Sequence, residues 1–416
     1  MKDERMKFDR IDIGWIVMSI GMAIGAGIVF LPVQVGVVGL WVFLFSSIIG
    51  YPAMYLFQKL FINTLARAKN ASSYPDAIES YLGKNAAIFL SILYFLMIII
   101  WMFVYTTAVN NDSAAYLQTF NISKENLANN PIYGLVIVLI LTFIAMSAES
   151  VLFKLSGFMA VSVLLVIAVL ALLMIPMWDF SNIKAIGDYK ILIKDVIVTL
   201  PFTLTSILFL QSLSPMVISY RAHFKDIEIA RKKALRAMNI SFILLFVIVF
   251  FYAVSFTLAI DYESALKAKE ENISALAIVA KSFSSNQSNW HIYFGMLLNV
   301  FAVLTSFFGV FLAFREATNG ILNNIISRFT NTSNMKKRID MLSILIGILL
   351  CWFAIVLNFP ILFFTSICSP IFGLIGCLIP AFLVYKIPSL NDLKGFSLYF
   401  IILTGILLCV SPFLAF

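Results

Sequence analysis

Apolar runs of about twenty residues alternate with short polar segments along nearly the whole chain, and about twenty apolar residues carry an α-helix across the hydrocarbon core of a bilayer. The pattern predicts eleven spans, near 12–37, 39–63, 86–116, 131–149, 153–177, 194–220, 237–260, 290–314, 341–359, 361–385 and 397–415. Two connecting segments also read as helices. "SSYPDAIESYLG" (72–83) has a Ser/Pro start and a Gly stop, with Tyr74, Ile78, Tyr81 and Leu82 on one side. "ENISALAIVAKSF" (271–283) carries a stripe of Ile273, Leu276, Ala277 and Ala280, too apolar for a solvated loop, and fits either a vestibule lid or a plain interfacial helix. The expected architecture is one all-α transmembrane domain, residues 1–416.

Two of the runs are interrupted at membrane depth. The first reads "GMAIGAGIVFLPVQVG" (21–36), with Gly21, Gly25 and Gly27 followed by Pro32. The sixth reads "LPFTLTSILFLQSLSPMVISY" (200–220), with Gln211, Ser212, Ser214 and Pro215 in its middle. Backbone freed inside a membrane is tolerated where it lines a cavity and binds something. Corresponding interruptions in two halves point to a transporter built from an inverted repeat, its substrate held where the breaks meet. The predicted repeats are about 11–177 and 194–385, five spans each, with an extra helix at about 397–415. A half-helix beginning near Ile28 would aim its amides at an amino acid's carboxylate. Gly25, Ala26 and Gly27 let the ligand reach the main chain, while freed carbonyls with Gln211, Ser212 and Ser214 accept from its ammonium group. Taken alone, Gly21 and Gly25 form a GxxxG that also fits helix packing; the second break favours the binding reading.

Composition agrees with the spans. Hydrophobic residues make up 62% of the chain and charged residues 12%, about half the charge of soluble domains. With the N-terminus inside, 22 of the 29 basic residues fall on the cytoplasmic side and 29 − 22 = 7 on the other, so the positive-inside rule sets N-in. The net charge of +8 is thus a topological signal and implies no nucleic-acid partner. "MKDERMKFDR" shows no removable signal peptide. Cys351, Cys368, Cys377 and Cys409 form no CxxC pair and read as small core residues, and His223 and His291 stand alone at segment ends. No metal, cofactor or catalytic residue is implied. A membrane enzyme would need mid-span acids or histidines, which are nearly absent, and neither a channel filter repeat nor a nucleotide-binding motif occurs.

"IGAGIVFLPVQVG" (24–36), "SLSPMVISYR" (212–221) and "SFFGVFLAFREATNGIL" (306–322) resemble the first, sixth and eighth helices of the hydroxy and aromatic amino acid permeases, and specifically their serine/threonine branch. These belong to the amino acid–polyamine–organocation superfamily. The resemblance covers essentially the whole chain. It implies a LeuT-type 5+5 fold, residence in a bacterial inner membrane and symport of a neutral amino acid, serine or threonine first, tryptophan or tyrosine as the alternative. It also implies drive by protons, or by sodium. Serine permeases carry Asn-His-Ser-Pro where this chain has Ser212, Leu213, Ser214 and Pro215. By the same resemblance, Thr305 and Ser306 match a sodium site facing the first break, and Lys154 matches an ammonium that replaces the ion in proton-driven relatives. Lys154 equally fits a snorkelling lysine, and the two hydroxyls equally fit bonds back to their own helix. Tyr105 fits closure over a carboxylate or a core position. Asp112, Glu149 and Glu316 are candidate gating acids, Glu316 otherwise pairing with its neighbour Arg315.

Overall fold

The computed structural model describes residues 7–68, 74–119, 122–147, 149–224, 226–275, 277–278, 306–322, 326, 335–358 and 360–415, which contain helices and no strand. In chain order the helices are α1 (Arg10–Ala23), α2 (Ala26–Val38), α3 (Leu40–Ala66), α4 (Tyr74–Leu82), α5 (Lys84–Thr119), α6 (Pro131–Ser147), α7 (Glu149–Leu173) and α8 (Tyr189–Thr205). Then follow α9 (Leu210–His223), α10 (Ile227–Ala259), α11 (Tyr262–Glu270), α12 (306–322), α13 (Lys336–Leu357), α14 (Ile361–Phe372), α15 (Ile379–Lys386) and α16 (Phe396–Ala415). Among the described residues eight helices, taking α8 with α9 and α14 with α15, are long and apolar enough to cross a membrane. The bent pair α1–α2 makes a ninth and Pro131–Met146 is a shorter apolar helix. The predicted span 290–314 lies outside the described residues up to 305.

Local chemistry sets the boundaries. Asp9 caps α1 by accepting from the amides of Ile11 and Asp12, while Asp12 accepts from the Asp9 amide in return. α4 ends at Gly83, whose φ of 89° suits only glycine without strain. Its Ile78 is buried and its Tyr81 hydroxyl donates to the Thr64 carbonyl at 3.0 Å, as the apolar stripe predicts.

One boundary differs from the sequence pattern in a way that matters below. α10 begins at Ile227, capped by Asp226, ten residues before the predicted span at 237. The basic stretch 231–236 is therefore a helical extension of the span. Lys233 is only 1% exposed there.

Small residues let the helices close up. A Cβ on Gly21 would lie 3.1 Å from the Ala160 Cβ, and one on Gly157 would lie 3.0 Å from Val17 Cγ1, so α1 and α7 run side by side. Gly50 of α3 faces Thr203 of α8, and Ser46 and Thr203 share a 2.9 Å hydrogen bond. Between α14 and α15 the chain makes a π-helical turn, Gly373–Leu378, where Gly373 lies against the Gly405 carbonyl of α16. The four cysteines are free, three of them buried.

Candidate functional site

The first membrane crossing is broken at Ile24–Gly25 and bends by 45°. α2 then starts at Ala26 with no side chain capping it. Its leading amides have no acceptor inside the helix and carry the positive end of its dipole. Ile24 and Ile28 around this terminus are fully buried. The new helix thus starts two residues earlier than Ile28, and Pro32 sits inside it without breaking it.

The second break is at Ser206–Phe209, not at the Gln211–Pro215 stretch that the sequence singles out. Hydroxyls decide this. Thr205 Oγ1 donates to the Pro201 carbonyl at 2.8 Å and Ser206 Oγ to the Thr203 carbonyl at 2.7 Å. Both hydroxyls bond back onto α8 and offer the chain an alternative to another helical turn. Pro215 is accommodated inside α9, where its ring is exposed on the outer side. α9, like α2, begins at the break without a side-chain cap.

The two breaks meet. A Cβ on Gly27 would run into the Thr205 carbonyl group and lie 3.0 Å from Ser206 Cα, so only glycine lets these main chains touch. A Cβ on Gly25 would strike the Tyr105 hydroxyl and stand 3.2 Å from Ser306 Oγ. Tyr105, 8% exposed, thereby lies on the first break, its ring stacked on Trp101 at 5.6 Å. Ser306 Oγ donates to the Ile24 carbonyl at 2.6 Å, the acceptor freed by the break. Two further buried polar atoms, Gln211 Oε1 and Trp101 Nε1, have no protein partner. The positive end of α2 beside the carbonyl end of α8 offers both signs of partial charge, which can hold a zwitterion by both of its charges.

Ser212, a binding candidate in the sequence, ties two helices together. It bonds Ser19 Oγ at 2.9 Å and the Phe209 carbonyl at 2.8 Å, joining α1 to α9. Ser214 is four residues inside α9 and half-buried. Of the coupling candidates, Ser306 is at the break, Thr305 lies outside the described residues, and the Lys154 side chain is likewise undescribed.

Two of the three candidate gating acids, Asp112 and Glu316, have described side chains. Asp112, 3% exposed, accepts from the Ser274 amide at 2.9 Å. Asn111 reaches Asn358 and Asn272 accepts from the Ile361 amide. Together these fasten the segment at Ile273–Ala275, Ala277 and Ile278, all buried, over the far end of α5; Leu276 and 279–283 of the expected lid lie outside the described residues. Glu316 is exposed, and Arg315 pairs with Asp340 at 2.6 Å rather than with its neighbour. The Glu149 side chain is not described.

The acid that does sit in a buried charge cluster is Asp12. It is fully buried and accepts from the Tyr220 hydroxyl at 2.6 Å, from Lys233 Nζ at 3.3 Å and from Arg236 Nη2 at 2.5 Å. Lys233 also binds Asp9. α1 climbs toward its break and α9 descends from the other, so Ser19–Ser212 and Asp12–Tyr220 are successive rungs of one antiparallel pair. Their spacings, seven residues on α1 and eight on α9, correspond to about 10 and 12 Å. The rungs stand between the breaks and the end of the bundle that carries Arg10 and Arg67. Sequence gave no sign of this cluster, since Asp9 and Asp12 stand at the start of the first apolar run and the basic stretch 231–236 precedes the seventh predicted span.

Comparison with known proteins follows the same outline. A serine transporter of Escherichia coli O157:H7 is 60% identical over 414 residues, 99% of this chain and 94% of its own. A threonine/serine transporter of Edwardsiella piscicida is 24% identical over 416 residues, 95% of this chain and 93% of its own. The solved structure of MhsT in complex with L-phenylalanine superposes with a TM-score of 0.55 at 13% identity, over 98% of this chain and 99% of that one. This likeness shows the fold, which is of LeuT type. Residues 12–411 match the tryptophan/tyrosine permease family, and the chain belongs to it.

Proposed function

We propose that the protein imports a neutral amino acid, serine or threonine, across the bacterial cytoplasmic membrane, and that protons drive it. The proposal includes eleven spans arranged as two inverted repeats plus one helix, with the N-terminus inside. The observation that carries it is the meeting of the uncapped N-terminus of α2, at Gly25 and Gly27, with the carbonyl end of α8 at Thr205. The pair suits a carboxylate and an ammonium group, the features all amino acids share. The 60%-identical relative, a serine transporter, narrows the class. The replacement of Asn-His by Ser212 and Leu213 does not weigh against serine. Ser212 is engaged in the α1–α9 contact and Leu213 is fully buried, so neither needs to touch the substrate.

Sodium drive is the second reading, favoured by the oxygen pair of Ser306 and the Ile24 carbonyl. Protons come first because that is what the resemblance to the serine/threonine permeases implies. Uptake of labelled amino acids into proteoliposomes under an imposed proton gradient, and separately a sodium gradient, tests both. Serine accumulation with protons alone upholds the proposal; accumulation with sodium alone replaces its coupling ion. Uptake of tryptophan or tyrosine in place of serine would overturn its substrate.

A further inference from the structure

On another face of α3 from the breaks, α3 and α10 leave an apolar groove of about 660 Å³ between them. Its walls include Trp41, Phe45 and Tyr55 of α3 and Phe242, Phe246 and Phe250 of α10. The three phenylalanines recur every fourth residue and therefore share one helix face. Phe242 and Phe246 stack at 6.2 Å and Phe246 and Phe250 are 5.7 Å apart. Tyr55 meets Phe242 edge-on at 5.3 Å and Tyr51 meets Phe246 at 5.0 Å. Rings braced in this way hold the groove open. It faces outward, since Trp41 and Phe45 are about two-fifths exposed and Ile48 is 68% exposed. In a membrane protein this is the side that lipid tails cover.

The groove has length, direction and one charged end. From Trp41 to Tyr55 is fourteen residues, about 21 Å along the helix. That exceeds the half-thickness of a hydrocarbon core of about 30 Å, so an extended tail fits along it and a globular apolar group does not fill it. One turn beyond Tyr55, Lys59 places its ammonium 5.9 Å from the Tyr55 ring centroid, at the mouth of the groove. Among the described residues no carboxylate pairs with Lys59. Tyrosine and lysine at such a mouth sit at the level of lipid headgroups.

We propose that this groove is a phospholipid site, in which one acyl chain lies against the phenylalanine ladder and an anionic headgroup meets Lys59. The site is separate from the substrate site but shares a wall with it. Tyr51, the buried floor of the groove, reaches Ser206 Oγ of the second break at 3.5 Å.

The test uses the purified full-length protein, loaded in mild detergent with palmitoyl-oleoyl phosphatidylglycerol or with phosphatidylethanolamine of the same chains, washed and weighed by native mass spectrometry. One phosphatidylglycerol per chain should remain, retained about fivefold over phosphatidylethanolamine, the ratio that one lysine at a membrane surface provides. Lys59→Gln should retain the two lipids equally. Ile48→Trp, which fills the groove from an exposed position, should retain neither while eluting and melting like the wild type. Loss of all lipid from the wild type, full retention by Ile48→Trp, or unchanged headgroup preference in Lys59→Gln would each overturn the site.

Discussion

Asp12→Asn tests whether the Ser19–Ser212 and Asp12–Tyr220 rungs seal the breaks from the basic end of the bundle. Asparagine keeps the size of the side chain and an oxygen for the Tyr220 hydroxyl, but removes the charge that answers Lys233 and Arg236. Removing one partner of a buried ion pair costs about 3–5 kcal/mol, because the other charge is left without compensation. Asp9 still faces Lys233 here and its side chain is 40% exposed, which argues for the lower end, about 3 kcal/mol. At 1.4 kcal/mol per factor of ten, the ratio of sealed to open forms should fall by roughly a hundredfold. The reporter is a cysteine at Ser212 in a background without the four native cysteines, labelled by a membrane-impermeant maleimide supplied from the basic face. Labelling should accelerate toward that factor, while serine binding by Asp12→Asn shows that the fold persists. An unchanged labelling rate in a variant that still binds serine would refute the assignment of Asp12 to the seal.

Other outcomes follow from the same geometry. Gly27→Ala places a methyl against the Thr205 carbonyl, where main chain cannot yield as a side chain could; overpacking of this kind costs about 1–3 kcal/mol, and equilibrium binding of serine should fall by tenfold or more. Ser306→Ala leaves the Ile24 carbonyl without its 2.6 Å donor, at a cost of about 1–3 kcal/mol, so uptake should drop at a fixed gradient and the melting temperature with it. Asp112→Leu removes the acceptor of the Ser274 amide, and hydrogen exchange should rise at Ser274–Ala275 and Ala277–Ile278 while α5 stays protected. Burial pushes the Asp9 carboxyl up, but the Lys233 hydrogen bond and charge and the amides of Asp12 and Ile11 outweigh it and hold it below the ordinary 3.8. The Arg67 hydrogen bond holds Asp392 low in the same way. A depressed carboxyl contributes fully above its unfolded value and fades only as pH falls through the folded one. The maleimide labelling rate, corrected for thiolate content, should therefore not change through these two acids between about pH 5 and 8.

Most of the described spans, the presence of two interruptions and the glycines at the first break were legible in sequence, since each is a local property of the chain. Twenty apolar residues need no partner to read as a membrane helix, and glycine beside a buried terminus means close approach wherever the neighbour comes from. Tyr105 and Ser306 were also found, through residues that resemble those of related carriers, and both lie on Gly25. The second break was misplaced by a turn because Pro215 is the stronger breaker by propensity, whereas hydroxyl bonds back to α8 decide the outcome at Ser206.

What sequence could not reach is pairing at a distance. Asp12 meets Tyr220 and Arg236 across 208 and 224 positions of chain, and Arg67 meets Asp392 across 325. A charge next to an apolar run looks the same whether it stays in water or is drawn into a cluster. Only packing of α1 against α9 and α10 removes water from Asp12 and Lys233, and desolvation is what turns ordinary terminal charges into a buried cluster. The sequence by itself determined that this chain is a membrane transporter with two broken helices. The tertiary structure decided which side chains those helices bring together.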